Sequence, residues 1–249
     1  TAPKPRFEES WRDFVAGRGA MRLLIVIGLG TFGYGMADVL LEPYGGQVLG
    51  LTVAQTTKLT AVLAAGGLGG FALASHLLGP RAACPVRVSA LGAAIGVPGF
   101  AAIILSSQVA MAELFVFGTL AVGFGAGLFG HGTLTATMRS APKEQIGLSL
   151  GAWGAVQATA AGIGVALGGI VRDVILALPS GDIRPETPYL PVFGIEIAFL
   201  LLALLAIIPL RGLLHRPAPQ EAWTPRGRPP PRPRDDATPP RAAPKPEDP

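Results

Sequence analysis

Residues 32–70 read FGYGMADVLLEPYGGQVLGLTVAQTTKLTAVLAAGGLGG and form two apolar segments around a short polar stretch. The charged residues in this region are Asp38, Glu42 and Lys58. The whole chain has a similar character: 50% of its 249 residues are hydrophobic and 14% are charged, against about 25% charged in ordinary soluble domains. So little polar surface predicts a protein folded in lipid and argues against a water-soluble enzyme.

The charge-poor intervals predict six transmembrane helices, because a hydrocarbon core about 30 Å thick needs about 20 apolar residues per helix. The predicted spans are residues 21–41, 60–78, 86–105, 112–138, 146–171 and 192–210. The predicted fold is therefore an all-α integral membrane domain over residues 21–210. Residues 1–20 are predicted to be a cytoplasmic segment with a short amphipathic helix at 7–15, and residues 211–249 a disordered Pro/Arg-rich cytoplasmic tail.

Positive charges beside the spans predict the orientation, because Lys and Arg in short loops stay on the cytoplasmic side. Arg81 and Arg87 lie in the second loop, Arg139 and Lys143 lie in the fourth, and further cations precede the first span and follow the last. Both termini are therefore predicted to be cytoplasmic, in a multi-pass membrane protein. The net charge of +4 reflects these flanks, so no nucleic-acid partner is expected.

Glycines four residues apart recur in the predicted spans, and they indicate helices that pack backbone to backbone. The pairs are Gly66 and Gly70, Gly92 and Gly96, Gly123 and Gly127, Gly147 and Gly151, and Gly164 and Gly168. A GxGxxG at residues 28–33 lacks the polar context and the acidic residue about 20 positions later that a dinucleotide site requires. One cysteine and three separated histidines leave no metal-ligand spacing, so no metal site is predicted.

Four carboxylates, Asp38, Glu42, Glu113 and Glu196, fall toward the outer ends of their predicted spans, where water can hydrate them. No charge is therefore expected at the bilayer midplane. Nothing in the sequence indicates a catalytic site.

Pro43 is expected to end the first span, because proline cannot continue the helical hydrogen-bond pattern. Gly45 and Gly46 would then form a tight turn that Tyr44 anchors at the membrane interface. This corner is predicted to be a fixed structural element on the periplasmic side.

His76 and His131 lie near the cytoplasmic ends of the second and fourth predicted spans, and Trp153 lies near the start of the fifth. A histidine at this depth can hydrogen-bond a neighbouring helix, or it can present a neutral imidazole to a magnesium-centred macrocycle. In the second case Trp153 would form a stacking wall, and the glycines within residues 123–132 would leave space beside it. Both interpretations stay open at this point.

One block carries a specific resemblance. It consists of Asp38, Leu41, Glu42, Pro43, Tyr44, Gly45 and Gly46, followed by a Gly-Leu-Thr turn and a Thr-Lys-Leu-Thr helix start. The block resembles the seventh and eighth spans of the PucC/LhaA family, the bacteriochlorophyll-related branch of the major facilitator superfamily in phototrophic bacteria. The resemblance covers about residues 7–210 and corresponds to the second half of twelve-span members. It implies a six-helix C-terminal half, separated from its N-terminal half by truncation or processing or encoded as a split chain, with that N-terminal half as an expected partner.

The resemblance implies a non-enzymatic assembly factor for light-harvesting complexes 1 or 2 (LH1 or LH2) in the intracytoplasmic photosynthetic membrane. Such a factor would hold or deliver bacteriochlorophyll, as a transient cofactor, to the α and β antenna polypeptides. The implied partners are the lipid bilayer, these polypeptides or the reaction centre–LH1 complex, and the N-terminal six-span half.

Two other functions remain open. The chain could be half of a secondary transporter for a small amphipathic solute, with proton coupling through Asp38, Glu113 or Glu196. The loop at residues 79–87 has arginines but lacks the Asp of the latch that is usual in major facilitator transporters, which argues against a transport cycle. The chain could also be a structural subunit of a photosynthetic complex, which only bound pigment or stoichiometry would distinguish.

Overall fold

The computed structural model describes residues 11–12, 15, 19–79, 83–142, 145–178 and 184–213. From residue 20 onward its helices are α1 Ala20–Gly35, α2 Ala37–Leu49, α3 Val53–Leu78, α4 Pro85–Gln108, α5 Ala112–Ser140, α6 Ile146–Ala177 and α7 Leu190–Leu213. Six spans in this part of the chain are long and apolar enough to cross a membrane, with α1 and α2 together forming the first and α3 to α7 the others. The predicted all-α, six-span membrane domain is therefore confirmed. The predicted helix at 7–15 falls mostly outside the described residues, and the predicted tail beyond residue 213 falls wholly outside them.

The first span bends at Met36, between α1 and α2, and α2 continues through Pro43. The prediction that Pro43 ends the span is wrong, because packed neighbouring helices allow a membrane helix to tolerate the one backbone hydrogen bond that proline removes. Residues 45–46, predicted to be a turn, are helical. The turn lies at Gly50, whose φ of 66° is in the left-handed region that favours glycine.

A capping box starts α3. The Thr52 backbone N–H donates to Gln55 Oε1 at 2.9 Å, and the Gln55 backbone N–H donates to the Thr52 hydroxyl at 3.4 Å. These bonds satisfy N–H groups that a helix start leaves without an intrahelical partner. The second span therefore begins well before the predicted residue 60.

Glycines bring the second, third and fourth spans together. A Cβ on Gly66 or Gly70 would overlap the backbone of α5, and one on Gly92 would lie 2.6 Å from the carbonyl oxygen of Gly125. Helices approach this closely only where a side chain is absent from the contact. The predicted backbone-to-backbone packing is confirmed for these glycines.

Two arginines connect helix ends. Arg139 donates to the carbonyl oxygens of Leu78, at 2.8 Å, and Ala83, at 3.3 Å, and so joins the end of α5 to the loop between α3 and α4. At the other end of the bundle, the Arg172 guanidinium lies over the Tyr189 ring, 5.2 Å from its centroid, and joins α6 to the start of α7. The bundle is thus held at both ends by contacts that involve cations.

Candidate functional site

A buried carboxylate holds the bend in the first span. Glu196 of α7 has an exposed fraction of 0%, and its Oε1 accepts the backbone N–H of Ala37 at 2.6 Å. Because Ala37 begins α2, its N–H has no partner within that helix. The second oxygen, Oε2, is buried and has no hydrogen-bond partner among the described residues. The expectation that water hydrates Glu196 is therefore wrong.

A second carboxylate lies at the same bend and faces a cavity of about 310 Å³ between the first, second, fourth and fifth spans. We call it the Asp38 cavity, and its polar lining includes Asp38, Thr31, Tyr34 and Gln157. Asp38 is exposed, whereas Tyr34 is buried and donates its hydroxyl hydrogen to the Gly92 carbonyl. The first span therefore presents one carboxylate to open space, and the last span contributes another that is enclosed.

The continuation of α2 changes the depth of Asp38. Asp38 precedes the end of α2 at Leu49 by eleven residues, and this corresponds to about 16 Å along the helix. That distance is about half of the hydrocarbon thickness. Asp38 therefore lies well inside the first span, and the expectation that it lies toward the outer end is wrong, because it assumed that the span ended at Pro43.

The family block is a packing element. The Tyr44 ring is fully buried, and its hydroxyl donates to the carbonyl oxygen of Ile103 at 3.1 Å. Glu42 accepts the hydroxyl hydrogen of Thr60 at 2.6 Å. The remaining members also lie on α2: Leu41 is buried, Pro43 is half-buried, and Gly45 is buried while Gly46 is half-buried. The block thus connects the first span to the second and third, and the Tyr44 ring packs inside the bundle.

The structure brings His131 to the second span. The His131 ring packs against the Phe71 ring with centroids 4.2 Å apart, and its Nε2 lies 3.4 Å from the Ser75 hydroxyl. Its Nδ1 is buried without a hydrogen-bond partner in the described part of the chain. His76, the residue after Ser75, is exposed. His131 therefore lies at the contact between α3 and α5, whereas the described contacts do not bring His76 to it.

Trp153 lies at a different contact, between α6 and α5. Its indole N–H donates to the Thr133 hydroxyl at 3.3 Å. Thr133 follows His131 by two residues, and two helical residues are separated by about 200° around the axis. The His131 side chain and the contact with Trp153 therefore lie on different sides of α5.

His131 presents no open nitrogen to a magnesium macrocycle in this structure, whereas the assignment of His76 as an axial donor stays a prediction. One nitrogen of His131 is enclosed and the other faces Ser75. The space expected beside the glycines of α5 is present in part: a Cβ on Gly123 or Gly127 would overlap carbonyl oxygens of α3, but both residues also line the Asp38 cavity, and a Cβ on Gly130 would meet no described atom within 4 Å. Neither His76 nor His131 lines the Asp38 cavity or the other two cavities described below.

A nearly apolar groove of about 500 Å³ runs between the first, fifth and sixth spans. Its walls include Gly28, Phe32, Ile163 and Phe199, and the ring centroids of the two phenylalanines lie 4.4 Å apart. The only hydroxyl in its lining belongs to Thr159. Sequence reasoning missed this groove, because its walls come from three separate spans and carry no polar pattern.

The exposed surface of α6 has two distinct sides. Its small-residue side contains Gly147, Gly151, Gly154, Ala158 and Gly162. A Cβ on any of these four glycines would meet no atom of the described structure within 4 Å. Another side carries large residues at helical spacing, Ile163, Leu167, Ile170 and Val174, which are 38–56% exposed. Large apolar side chains suit lipid, whereas small ones suit a neighbouring helix.

A comparison with known families decides the relationship. The family model described as "PUCC protein" matches residues 1–213, which include the whole six-span domain. The chain belongs to this family. The resemblance identified from the block on α2 is thereby confirmed.

Curated members of the PucC family are close in sequence. The chain is 57% identical over 208 residues to Protein PucC of Cereibacter sphaeroides, an alignment that covers 83% of the chain and 45% of that relative. It is 56% identical over 216 residues to Protein PucC of Rhodobacter capsulatus, covering 84% of the chain and 46% of the relative.

A more distant relative is named for pigment chemistry. The chain is 28% identical over 224 residues to the Bacteriochlorophyll synthase 44.5 kDa chain of Rhodobacter capsulatus, covering 86% of the chain and 50% of the relative. The chain thus spans about half the length of the curated relatives that it matches. No solved structure matches it significantly.

Proposed function

We propose that this chain acts in the assembly of bacterial light-harvesting complexes, together with a second membrane portion that corresponds to the rest of its relatives' length. The family match over the whole six-span domain carries the proposal. A relative named for bacteriochlorophyll synthase supports a pigment context. The protein acts in the photosynthetic membrane with both ends of the domain in the cytoplasm, and it is not an enzyme.

The uneven burial of the spans supports a role that depends on partners. In the most apolar window of each helix, 22% of the second span and 17% of the fifth are buried, against 61% of the first. Both poorly buried spans contribute to the Asp38 cavity. The second membrane portion covers this open face, and the small-residue side of α6 packs against a transmembrane helix of that portion or of an antenna polypeptide.

Bacteriochlorophyll is cargo in this proposal, held transiently for the α and β antenna polypeptides or for the reaction centre–LH1 complex. The apolar groove has the character that a hydrophobic tail requires. His76, His131 and Trp153 remain candidate contacts for the pigment head, but His131 would first have to leave Ser75.

The test uses a phototrophic host that lacks its own family member. The chain is expressed there with the other membrane portion, purified in mild detergent and analysed by absorbance spectroscopy and identification of bound proteins. We expect antenna polypeptides and bacteriochlorophyll to co-purify, and antenna absorbance in the cells to rise. A colourless preparation without antenna polypeptides, in cells with unchanged antenna levels, would contradict the proposal. A constant stoichiometry with the finished complex would instead identify a structural subunit.

The double variant Gly151→Val and Gly154→Val tests the α6 surface in the same host. We expect less co-purified antenna polypeptide or less of the second membrane portion, at normal membrane abundance. Gly194→Val is the matched control, because a Cβ on Gly194 of α7 also meets no described atom within 4 Å. Equal loss in both variants would mean that the α6 surface has no particular role.

A second candidate function is movement of a small amphipathic solute. It is favoured by Asp38, which lies well inside the first span, and by Glu196 of the last span, which contacts the bend of the first, because secondary transporters bind substrates and ions at discontinuous helices near the bilayer centre. The test is uptake of labelled solutes and protons into proteoliposomes that contain both membrane portions. Uptake that Asp38→Asn abolishes, without any pigment or antenna partner, would favour transport.

A further inference from the structure

A third cavity, of about 420 Å³, lies between the first turns of α3 and α5. Its lining includes residues of opposite charge, Lys58 of α3 and Glu113 of α5, and both are exposed. Neither forms an ion pair or hydrogen bond with another residue in the part of the chain that the structure describes. One cavity therefore offers a cation and an anion that do not neutralise each other directly.

Gln55 adds directed hydrogen-bond donors to the same cavity. Its Oε1 is occupied by the Thr52 backbone N–H, at 2.9 Å, and by the Thr52 hydroxyl. This contact fixes the orientation of the amide, so that its Nε2 carries two N–H donors without a partner among the described residues. Lys58 and Gln55 together form a donor pair suited to a phosphate.

The cavity has a polar mouth and an apolar wall. Val62 follows Lys58 by four residues, which places it about 6 Å further along α3 toward the hydrocarbon. Leu59 and Val116 line the cavity beside it. A ligand that fits both parts has a charged head at the membrane surface and hydrocarbon chains that continue into the bilayer.

We propose that this cavity binds a phospholipid whose headgroup contains both a phosphate and a primary ammonium, as in phosphatidylethanolamine. The phosphate accepts hydrogen bonds from Lys58 and Gln55, and the ammonium donates to Glu113. An anionic lipid without an amine places negative charge beside Glu113 and gains nothing from it. A choline headgroup has no N–H to donate to the carboxylate. This site is independent of the function proposed above.

The test measures lipid binding to the delipidated full chain in detergent by native mass spectrometry. Phosphatidylethanolamine, phosphatidylcholine and phosphatidylglycerol with identical acyl chains are titrated separately. We expect phosphatidylethanolamine to bind about two- to fivefold more tightly than either other lipid, the range expected for one solvent-accessible charge contact. Soluble phosphoethanolamine is expected not to compete at equal concentration, because it lacks the chains that contact Val62 and Val116.

Substitutions separate the two contacts. Lys58→Gln should weaken the binding of both phosphatidylethanolamine and phosphatidylglycerol, whereas Glu113→Gln should remove only the preference for phosphatidylethanolamine. The double exchange Lys58→Glu and Glu113→Lys should restore that preference, because the zwitterion can reverse. Asp173→Asn, an exposed carboxylate on the same predicted side, and Arg22→Gln are the controls.

Thermal stability without lipid is recorded for every variant, so that a fold defect is recognised separately. Equal binding of the three lipids would overturn the proposal. A preference for phosphatidylglycerol, or an unchanged preference in Glu113→Gln, would do the same, because either result reduces the cavity to a general anion site. Competition by soluble phosphoethanolamine would show that the headgroup alone is recognised and would overturn the assignment to a membrane lipid.

Discussion

Two sets of glycines in this bundle share one spacing and have opposite surroundings. Gly123 and Gly127 of α5 lie so close to α3 that a Cβ on either would overlap its carbonyl oxygens. Gly147 and Gly151 of α6 have the same four-residue spacing, but a Cβ on either would meet no described atom within 4 Å. The first pair closes an internal contact, and the second pair leaves a helix surface open.

The difference shows what a small-residue pattern in a membrane helix indicates. It marks a place where one helix backbone can approach another, but it does not show which helix is the partner. In α5 the partner is a helix of the same chain. In α6 the pattern belongs to a helix of which only 17% of the most apolar window is buried, and no described atom of this chain lies within 4 Å of a Cβ built there; the function proposed above assigns this surface to another polypeptide segment.

The largest expected effect comes from filling the closed contact. Gly127→Leu should lower the free energy of unfolding by about 3 kcal/mol or more, or prevent folding, because α3 and α5 would have to separate. Thermal unfolding in detergent, followed by size-exclusion chromatography, measures this. A stable variant with an unchanged transition would remove the contrast between the two glycine sets.

Polar contacts within the closed region are expected to have the next largest effect. Glu196→Leu leaves the Ala37 N–H without an acceptor and should lower the free energy of unfolding by about 1–3 kcal/mol. Glu196→Gln keeps an oxygen that accepts this bond, so its free energy of unfolding should fall by less. Asp38→Asn, on the open cavity, is the comparison, and we expect a change within about 0.5 kcal/mol. An effect of Asp38→Asn as large as that of Glu196→Leu would contradict the difference between the enclosed and the open carboxylate.

A single buried hydroxyl should contribute less. Tyr44→Phe removes the bond to the Ile103 carbonyl and keeps the ring contacts with Phe115 and Phe193. Hydrogen bonds between membrane helices contribute about 0.6 kcal/mol on average and up to about 1.7, so a loss in this range is expected in the same assay. Tyr34→Phe, which removes a bond to Gly92, should behave alike. No change in either variant would mean that packing alone holds the closed region.

The smallest effect on folding should come from the open glycines. Gly151→Leu is expected to change the free energy of unfolding by about 0.5 kcal/mol or less, because the added Cβ meets no described atom within 4 Å and leucine favours the helix more than glycine does. The same assay measures it, with Gly194→Leu as the control on α7. A loss comparable to that of Gly127→Leu would show that the α6 surface is covered within this chain.

The number and type of the spans followed from the sequence because the bilayer imposes a length and excludes charge. Residues 112–138 and 146–171 were located within α5 and α6 for that reason. Span boundaries were less predictable at a residue that either ends a helix or is tolerated inside it. Pro43 would end a helix in water more readily than in a packed membrane bundle. Because the first span was predicted to end there, Asp38 was expected near the end of the span, whereas it lies eleven residues before the end of α2.

The candidate site was less accessible to sequence reasoning, because it depends on which helix sides meet. His131 of α5 contacts α3, whereas Trp153 of α6 contacts α5 through Thr133, and these two contacts lie on different sides of α5. Glu196 carried a signal that was available: it is a lone carboxylate inside the most apolar of the six spans. A charge there needs a donor, and the donor, the Ala37 N–H, exists only because the first span bends.

The contact that Arg139 makes has a consequence for how this end of the bundle tolerates substitution. Its acceptors are backbone carbonyl oxygens, those of Leu78 and Ala83, and not side chains. A substitution at residue 78 or 83 therefore leaves both acceptors in place, in contrast to an ion pair, which is lost when either partner is replaced. A substitution removes these bonds only if it replaces Arg139 itself or shifts the backbone at Leu78 and Ala83.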